Sequence, residues 1–309
     1  MVILSIKPSC VKEKSRSMLM METKNLPFVF AKQEISLCYR AYRPAVLKYT
    51  TPIVMVHGLT RQKMDFDYVA KALAEAGFYV MSFDMPGRGG SSWLARAEDY
   101  AVDFYAAMMI KALDLLHFKA VHWVGTSMGG LIALQMGLLG GQAWFASLTL
   151  VDITPAPAFD ACVRIANYLS ESLPILPAVE DYIAFIKKNL PLGQVTDEVW
   201  YHFAVHQLRE KKDGYHFHFD PKIVPLAKKG LSEKIDLTVA LDFLNCSLAL
   251  IAGGQSDLCT AHEINALKIL RPKLALLIDE AAGHIPALAD EASHSFMRDF
   301  LVEAERLRS

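Results

Sequence analysis

Val121-His122-Trp123-Val124-Gly125-Thr126-Ser127-Met128-Gly129-Gly130-Leu131 is the stretch whose reading decides the fold. An apolar segment that ends in Gly-x-Ser-x-Gly and continues into small apolar residues reads as strand, sharp turn and helix. That arrangement lifts a serine hydroxyl clear of a sheet edge. Gly125 and Gly129 flank the serine because strand and helix approach so closely only where a Cβ is missing, and the residue in so tight a turn sits in strained backbone. Ser127 is therefore the candidate nucleophile. A reactive serine also needs a base, and the base needs a partner to fix its tautomer.

Working upstream, Pro52-Ile53-Val54-Met55-Val56 is an almost continuous apolar run, as expected of a strand buried on both faces, and it ends in His57-Gly58-Leu59. Helical spacing over 65–76 stops at Gly77, and a strand over 78–83 runs into the turn Asp84-Met85-Pro86-Gly87-Arg88-Gly89-Gly90-Ser91. An amphipathic helix is predicted over 98–117, a strand over 120–124, a helix over 131–139 and a strand over 146–151 that ends at Asp152. Successive strand-to-helix units imply right-handed crossovers and a parallel sheet. Residues 26–42, with partial alternation, read as an antiparallel pair at its edge.

The rhythm breaks after Thr154. Prolines at 155, 157, 174, 177, 191, 221 and 225 divide short aromatic-rich helical patterns, which read as an inserted helical cap over 155–231. The core then comprises 26–154 and 232–309, and residues 1–25 form an N-terminal extension expected to be disordered, with Met18, Met20 and Met21 as alternative starts. Strands return at 247–252, ending in Gly253-Gly254-Gln255-Ser256-Asp257, and at 274–278, followed by His284. A closing helix is expected over 286–308, with Pro286 near its first turn.

Composition narrows the function. Lys and Arg total 32 against 33 Asp and Glu, so nothing electrostatic calls for a nucleic acid or an anionic membrane. Five cysteines, widely spaced and odd in number, point to a reducing compartment. The N-terminus lacks the continuous apolar segment of a signal peptide, so a cytoplasmic location is expected. Residues 123–151 contain no Asp, Glu, Lys or Arg, but glycine pairs at 129–130 and 140–141 divide them into pieces too short to span a bilayer.

His284, in the loop after the final strand, is the candidate base, and Asp257, after the preceding strand, the candidate acid. Asp152 can also reach the histidine and is the alternative. The order Ser, Asp, His and the motifs His57-Gly58, Asp84-Met85-Pro86-Gly87-Arg88-Gly89, Gly125-Thr126-Ser127-Met128-Gly129, Gly253-Gly254-Gln255-Ser256-Asp257 and Gly283-His284 resemble the capped serine hydrolases of the α/β-hydrolase fold family. The resemblance runs from about residue 26 to the end. It implies an α/β architecture, with a mostly parallel eight-stranded sheet, helices on both faces and a cap over the carboxyl edge. It also implies a triad of Ser127, Asp257 and His284, with oxyanion donors at the amides of Met128 and Leu59, or of Gly58 or Thr60 by a shift of one residue. Two departures stand out: Arg88 where many relatives have histidine, and Thr126 where a larger residue is common.

The expected reaction is hydrolysis of a small carboxylic ester, thioester or lactone through an acyl-enzyme on Ser127, without metal or organic cofactor. The expected partner is a small ester-like molecule, with neither nucleic acid nor membrane, and a homodimer is compatible with the sequence. Two rivals share the resemblance: a hydrolase that cleaves a carbon–carbon bond of a β-diketone or vinylogous acid, and a non-catalytic ligand receptor. Epoxide hydrolases and dehalogenases would need a carboxylate at 127. His202 and His206, four apart, lack a third metal ligand in sequence. His216 and His218 alternate with Phe217 and Phe219, which reads as an extended cap segment with solvent-facing histidines. The glycines at 87–90 lack the Lys-Ser/Thr of a phosphate loop.

Overall fold

The computed structural model describes residues 19–308 apart from 171–173 and 190–191, so most of the N-terminal extension lies outside the described residues. An antiparallel pair, β1 (Met20–Phe30) and β2 (Gln33–Arg43), opens the fold. β1 alternates in exposure along its length, as an edge strand should. It begins at Met20, inside the stretch expected to be disordered, because pairing with Arg43 carries the ladder that far.

Four short buried strands follow, separated by helices. β3 (Ile53–Val56) leads through a 3₁₀ turn into α1 (Asp67–Ala76), then β4 (Val80–Phe83), α2 (Val102–Leu115), β5 (Val121–Thr126), α3 (Met128–Met136) and β6 (Phe145–Val151). The helix predicted over 98–117 is divided at Ala101, whose extended backbone separates a 3₁₀ turn from α2. The helix predicted over 131–139 instead starts at Met128 and gives way to a π-type turn through Gly140.

After β6 the chain leaves the sheet. This insertion holds α4 (Phe159–Ser170), α5 (Val179–Asn189), α6 (Asp197–Gln207), the ribbon β7 (Leu208–Lys211) and β8 (Gly214–Phe217), and α7 (Ile223–Leu231). Its own apolar cluster includes Tyr182, Trp200, Phe203 and Leu208. The extended segment expected around His216 and His218 within the helical cap is one arm of a two-stranded ribbon, closed by a two-residue Lys212-Asp213 loop ahead of Gly214. His216 and His218 are partly buried rather than solvent-facing, and His216 Nε2 lies 2.9 Å from Asp213 Oδ1.

After α8 (Ala240–Phe243) the sheet is completed by β9 (Ser247–Gly253), α9 (Ala261–Leu270) and β10 (Ala275–Asp279), and α10 (Glu291–Arg306) closes the chain. α10 is capped by Asp290, whose carboxylate accepts the Ser293 amide at 2.8 Å, so Pro286 precedes the helix instead of opening it. The strand order is β1-β2-β4-β3-β5-β6-β9-β10, parallel throughout except at β1 and β2. α1 and α10 cover one face, α2, α3 and α9 the other. No described helix is long and apolar enough to cross a membrane.

The order reverses at β3, which has β4 on one side and β5 on the other. Crevices at the carboxyl ends of strands open at such a reversal, and both the turn after β3 and Ser127 lie there. The first turn is held by His57, fully buried, which donates from Nδ1 to the Gly58 carbonyl at 2.7 Å and accepts the Met85 amide at Nε2 at 2.9 Å. The second is held by Gly129: a Cβ there would lie 2.0 Å from the Val56 carbonyl oxygen, so only glycine lets α3 pack onto β3. Trp123, buried beneath, donates its indole N–H to the Gly129 carbonyl at 3.0 Å.

Two outcomes follow from these turns. Gly129→Ala should destabilise the fold by about 3 kcal/mol or more, read from urea unfolding, since neither backbone can yield. Burial, reinforced by the Arg88 charge, pushes the His57 imidazole down from its ordinary 6.5 to about 3. Unfolded, His57 takes up a proton below pH 6.5, whereas the folded protein does not until about pH 3. Its contribution to stability is therefore complete above pH 6.5 and declines on acidification, by up to about 1.4 kcal/mol per pH unit. Unfolding free energies that stay level between pH 7 and 5 would contradict a neutral, buried His57.

Candidate active site

Ser127 occupies the turn between β5 and α3 with φ 49° and ψ −113°, the strained conformation that its flanking glycines permit. Its amide donates to the Val151 carbonyl at 2.9 Å, which ties the turn to the end of β6. The hydroxyl lies 3.1 Å from His284 Nε2. His284 stands in the loop after β10, two residues that are far apart in sequence thus meeting across the carboxyl edge of the sheet.

The partner of His284 is Asp152. His284 Nδ1 lies 2.7 Å from Asp152 Oδ2, and Asp152 is fully buried at the end of β6 with φ 49°. The expectation that Asp257 fills this place is corrected by the conformation of the loop after β9. Asp257 turns outward and receives both arms of the Arg164 guanidinium, at 2.6 and 2.8 Å, on a half-exposed surface. Partial burial pushes the Asp257 carboxyl up, but the Arg164 hydrogen bonds and charge outweigh this and hold it below the ordinary carboxylate range.

The same loop supports the acid from behind. Asp152 Oδ1 accepts the Gly253 amide at 2.8 Å, and Oδ2 accepts the Ser256 hydroxyl at 2.6 Å as well as the imidazole. Both oxygens of this buried carboxylate are thereby hydrogen-bonded. A Cβ on Gly253 would lie 2.2 Å from the Gly283 carbonyl oxygen, so this glycine admits the loop that carries His284. Sequence order drew attention to Asp257, yet it is its neighbours Gly253 and Ser256 that touch the acid.

Two residues that line the same cavity as Ser127 have backbone amides for which no acceptor is found among the described residues. One is Met128, first in α3. The other is Leu59, whose direction follows from peptide planarity: the Gly58 carbonyl points to His57 Nδ1 and to the Arg61 amide at 3.1 Å, so the Leu59 N–H of the same trans peptide points the opposite way. Leu59, Met128, Ser127 and His284 all border a cavity of about 550 Å³. Its walls are mainly apolar, with Leu131, Ile153 and Leu258 from the core and Ile165 and Leu226 from the insertion.

The insertion is fastened around this cavity. Arg61 pairs with Asp65 at 2.6 Å, and Gln207 of α6 donates to the same carboxylate at 3.2 Å. Tyr100 donates to Asp220 at 2.5 Å, and His202 Nε2 lies 3.0 Å from the Met64 carbonyl. His206 Nδ1 lies 2.7 Å from the His202 carbonyl oxygen, so backbone groups engage both histidines considered as a metal pair. No group of three or more candidate ligands converges among the described residues.

A serine hydroxyl on imidazole, imidazole on carboxylate, and two unengaged amides beside an apolar cavity constitute the parts of a nucleophilic hydrolase. Comparison with known proteins agrees. The family model described as the alpha/beta hydrolase fold matches residues 51–174. The 3-hydroxybutyrate-oligomer hydrolase of Cupriavidus necator is 31% identical over 264 residues, covering 82% of this chain and 88% of that protein. The bifunctional epoxide hydrolase 2 of Mus musculus is 31% identical over 86 residues, 28% of this chain and 16% of that protein. An alpha/beta hydrolase from Novosphingobium aromaticivorans superposes with a TM-score of 0.80 at 23% identity, covering 92% of this chain and 99% of that one. With its sheet order, its strained serine turn and these relatives, the chain belongs to the α/β-hydrolase fold family and is a hydrolase.

Proposed function

We propose that the protein hydrolyses carboxylic esters through an acyl-enzyme on Ser127, with His284 as general base and acid and Asp152 as its orienting carboxylate. The observation that carries this reading is the continuous relay of 3.1 Å from Ser127 Oγ to His284 Nε2 and 2.7 Å from His284 Nδ1 to Asp152, opening onto the cavity. In this mechanism Ser127 Oγ attacks the carbonyl carbon while its proton passes to His284 Nε2. The imidazolium is stabilised by Asp152, and the oxyanion accepts hydrogen bonds from the Leu59 and Met128 amides. Collapse expels the alcohol, which takes the proton from His284. Water then attacks the acyl carbon, giving its proton to His284, and the acid product leaves with Ser127 reprotonated.

An ester as substrate is supported by the oligoester-directed name of the Cupriavidus necator relative. Short oligomers of hydroxy acids are accordingly the first substrates to test. Epoxide opening is not favoured despite the local match to the mouse enzyme, because a serine stands at 127 where that chemistry needs a carboxylate.

Ser127→Ala should abolish release of p-nitrophenol from p-nitrophenyl butyrate while the circular dichroism spectrum stays unchanged; a variant that still turns over would end the proposal. Asp152→Asn should lower kcat on the order of 10³- to 10⁴-fold, because the imidazole loses the partner that fixes its tautomer. Asp257→Asn should leave kcat within about threefold, since it relaxes only an exposed ion pair. The reverse pattern would return the acid to Asp257.

A further inference from the structure

Arg88 follows Gly87 in the turn after β4 and is completely buried. Its guanidinium donates from Nε to the Leu59 carbonyl at 2.7 Å and from Nη1 to the Pro86 carbonyl at 2.8 Å and to the Tyr105 hydroxyl. Nη2 reaches Met128 Sδ at 3.6 Å. Every one of these acceptors is neutral. Among the described residues, no carboxylate lies within ion-pair distance of this guanidinium, although the nearby cations Arg61 and Lys63 are matched by Asp65 and Asp84. A buried cation with hydrogen bonds but no counter-charge is costly to keep, and a side chain chosen only to fill this space would not carry one.

Two of the four contacts fall on the residues whose amides receive the oxyanion in the mechanism above. We propose that Arg88 is a positioning residue of the oxyanion hole: it anchors Leu59 and Met128 from behind and keeps an uncompensated positive charge beneath the site where the tetrahedral oxygen becomes negative. The inference rests on the ester-hydrolysis reading and deepens it. In a site shielded from water, a fixed charge favours the anionic intermediate over the neutral ester, and so acts on kcat more than on KM.

The test compares Arg88→Gln and Arg88→Lys with the wild-type protein, using p-nitrophenyl butyrate as substrate and phenylboronic acid, which forms a tetrahedral anion on an active serine, as inhibitor. Arg88→Gln should lower kcat by about tenfold with KM within about twofold, and should weaken the boronic acid by the same factor as kcat. Arg88→Lys should recover most of both losses. If Arg88→Gln fails to fold by circular dichroism, Arg88→His assayed at pH 8 takes its place with the same expectation. A neutral variant with wild-type kcat and boronic acid affinity, or a lysine variant as impaired as the neutral one, overturns the proposal. A folded wild-type protein that neither hydrolyses the ester nor binds the boronic acid overturns the ester reading instead, and this inference with it.

Discussion

One buried carboxylate gathers the ends of four strands. Asp152 follows β6, accepts the Gly253 amide from the end of β9 and the Ser256 hydroxyl from the loop after it, and meets His284 from the loop after β10; His284 in turn reaches Ser127 just past the end of β5. An acceptor without exposure to water must be satisfied on both oxygens, so the three loops have little freedom to rearrange independently. Strain is concentrated at the same place. Ser127, Asp152 and Ile285 all have positive φ without being glycine, a conformation that persists only where the surrounding structure over-determines it.

The other side of the site is governed by two buried bases that are treated differently. His57 donates a hydrogen bond to the Gly58 carbonyl and accepts one from the Met85 amide, so neutrality suits it, and burial enforces it. Arg88, in contrast, stays a donor throughout, because guanidinium has no acceptor to offer. Together they link the turn after β3 to the turn after β4: His57 holds the Gly58–Leu59 peptide through its carbonyl, and Arg88 holds the following peptide through the Leu59 carbonyl. The insertion lies above, fastened by Gln207 to Asp65 and by Tyr100 to Asp220, and supplies the apolar roof of the cavity.

Much of this was legible along the chain. Gly125 and Gly129 announced the serine turn, the apolar runs at 52–56 and 146–151 announced doubly buried strands, and Gly77 marked the end of α1. The extended character of β8 was legible in the alternation of His216 and His218 with Phe217 and Phe219, but its pairing with β7 was not, although Asp213-Gly214 between two short polar-aromatic segments is a hairpin signal. The start of β1 at Met20 was missed because the pairing partner that orders it, Arg43, is remote in sequence.

What the sequence alone determined is the architecture and the choice of Ser127 and His284 as candidates, because periodicity and glycine spacing are local properties read along one strand and one turn. Which aspartate faces the imidazole was decided only by the tertiary structure. Both candidates follow strands at the same sheet edge, but the backbone at Asp152 turns its carboxylate inward beneath Ser256, while Arg164 from the insertion pairs with Asp257 at the half-exposed surface. The choice depends on partners a hundred residues away, and no pattern within either segment encodes it.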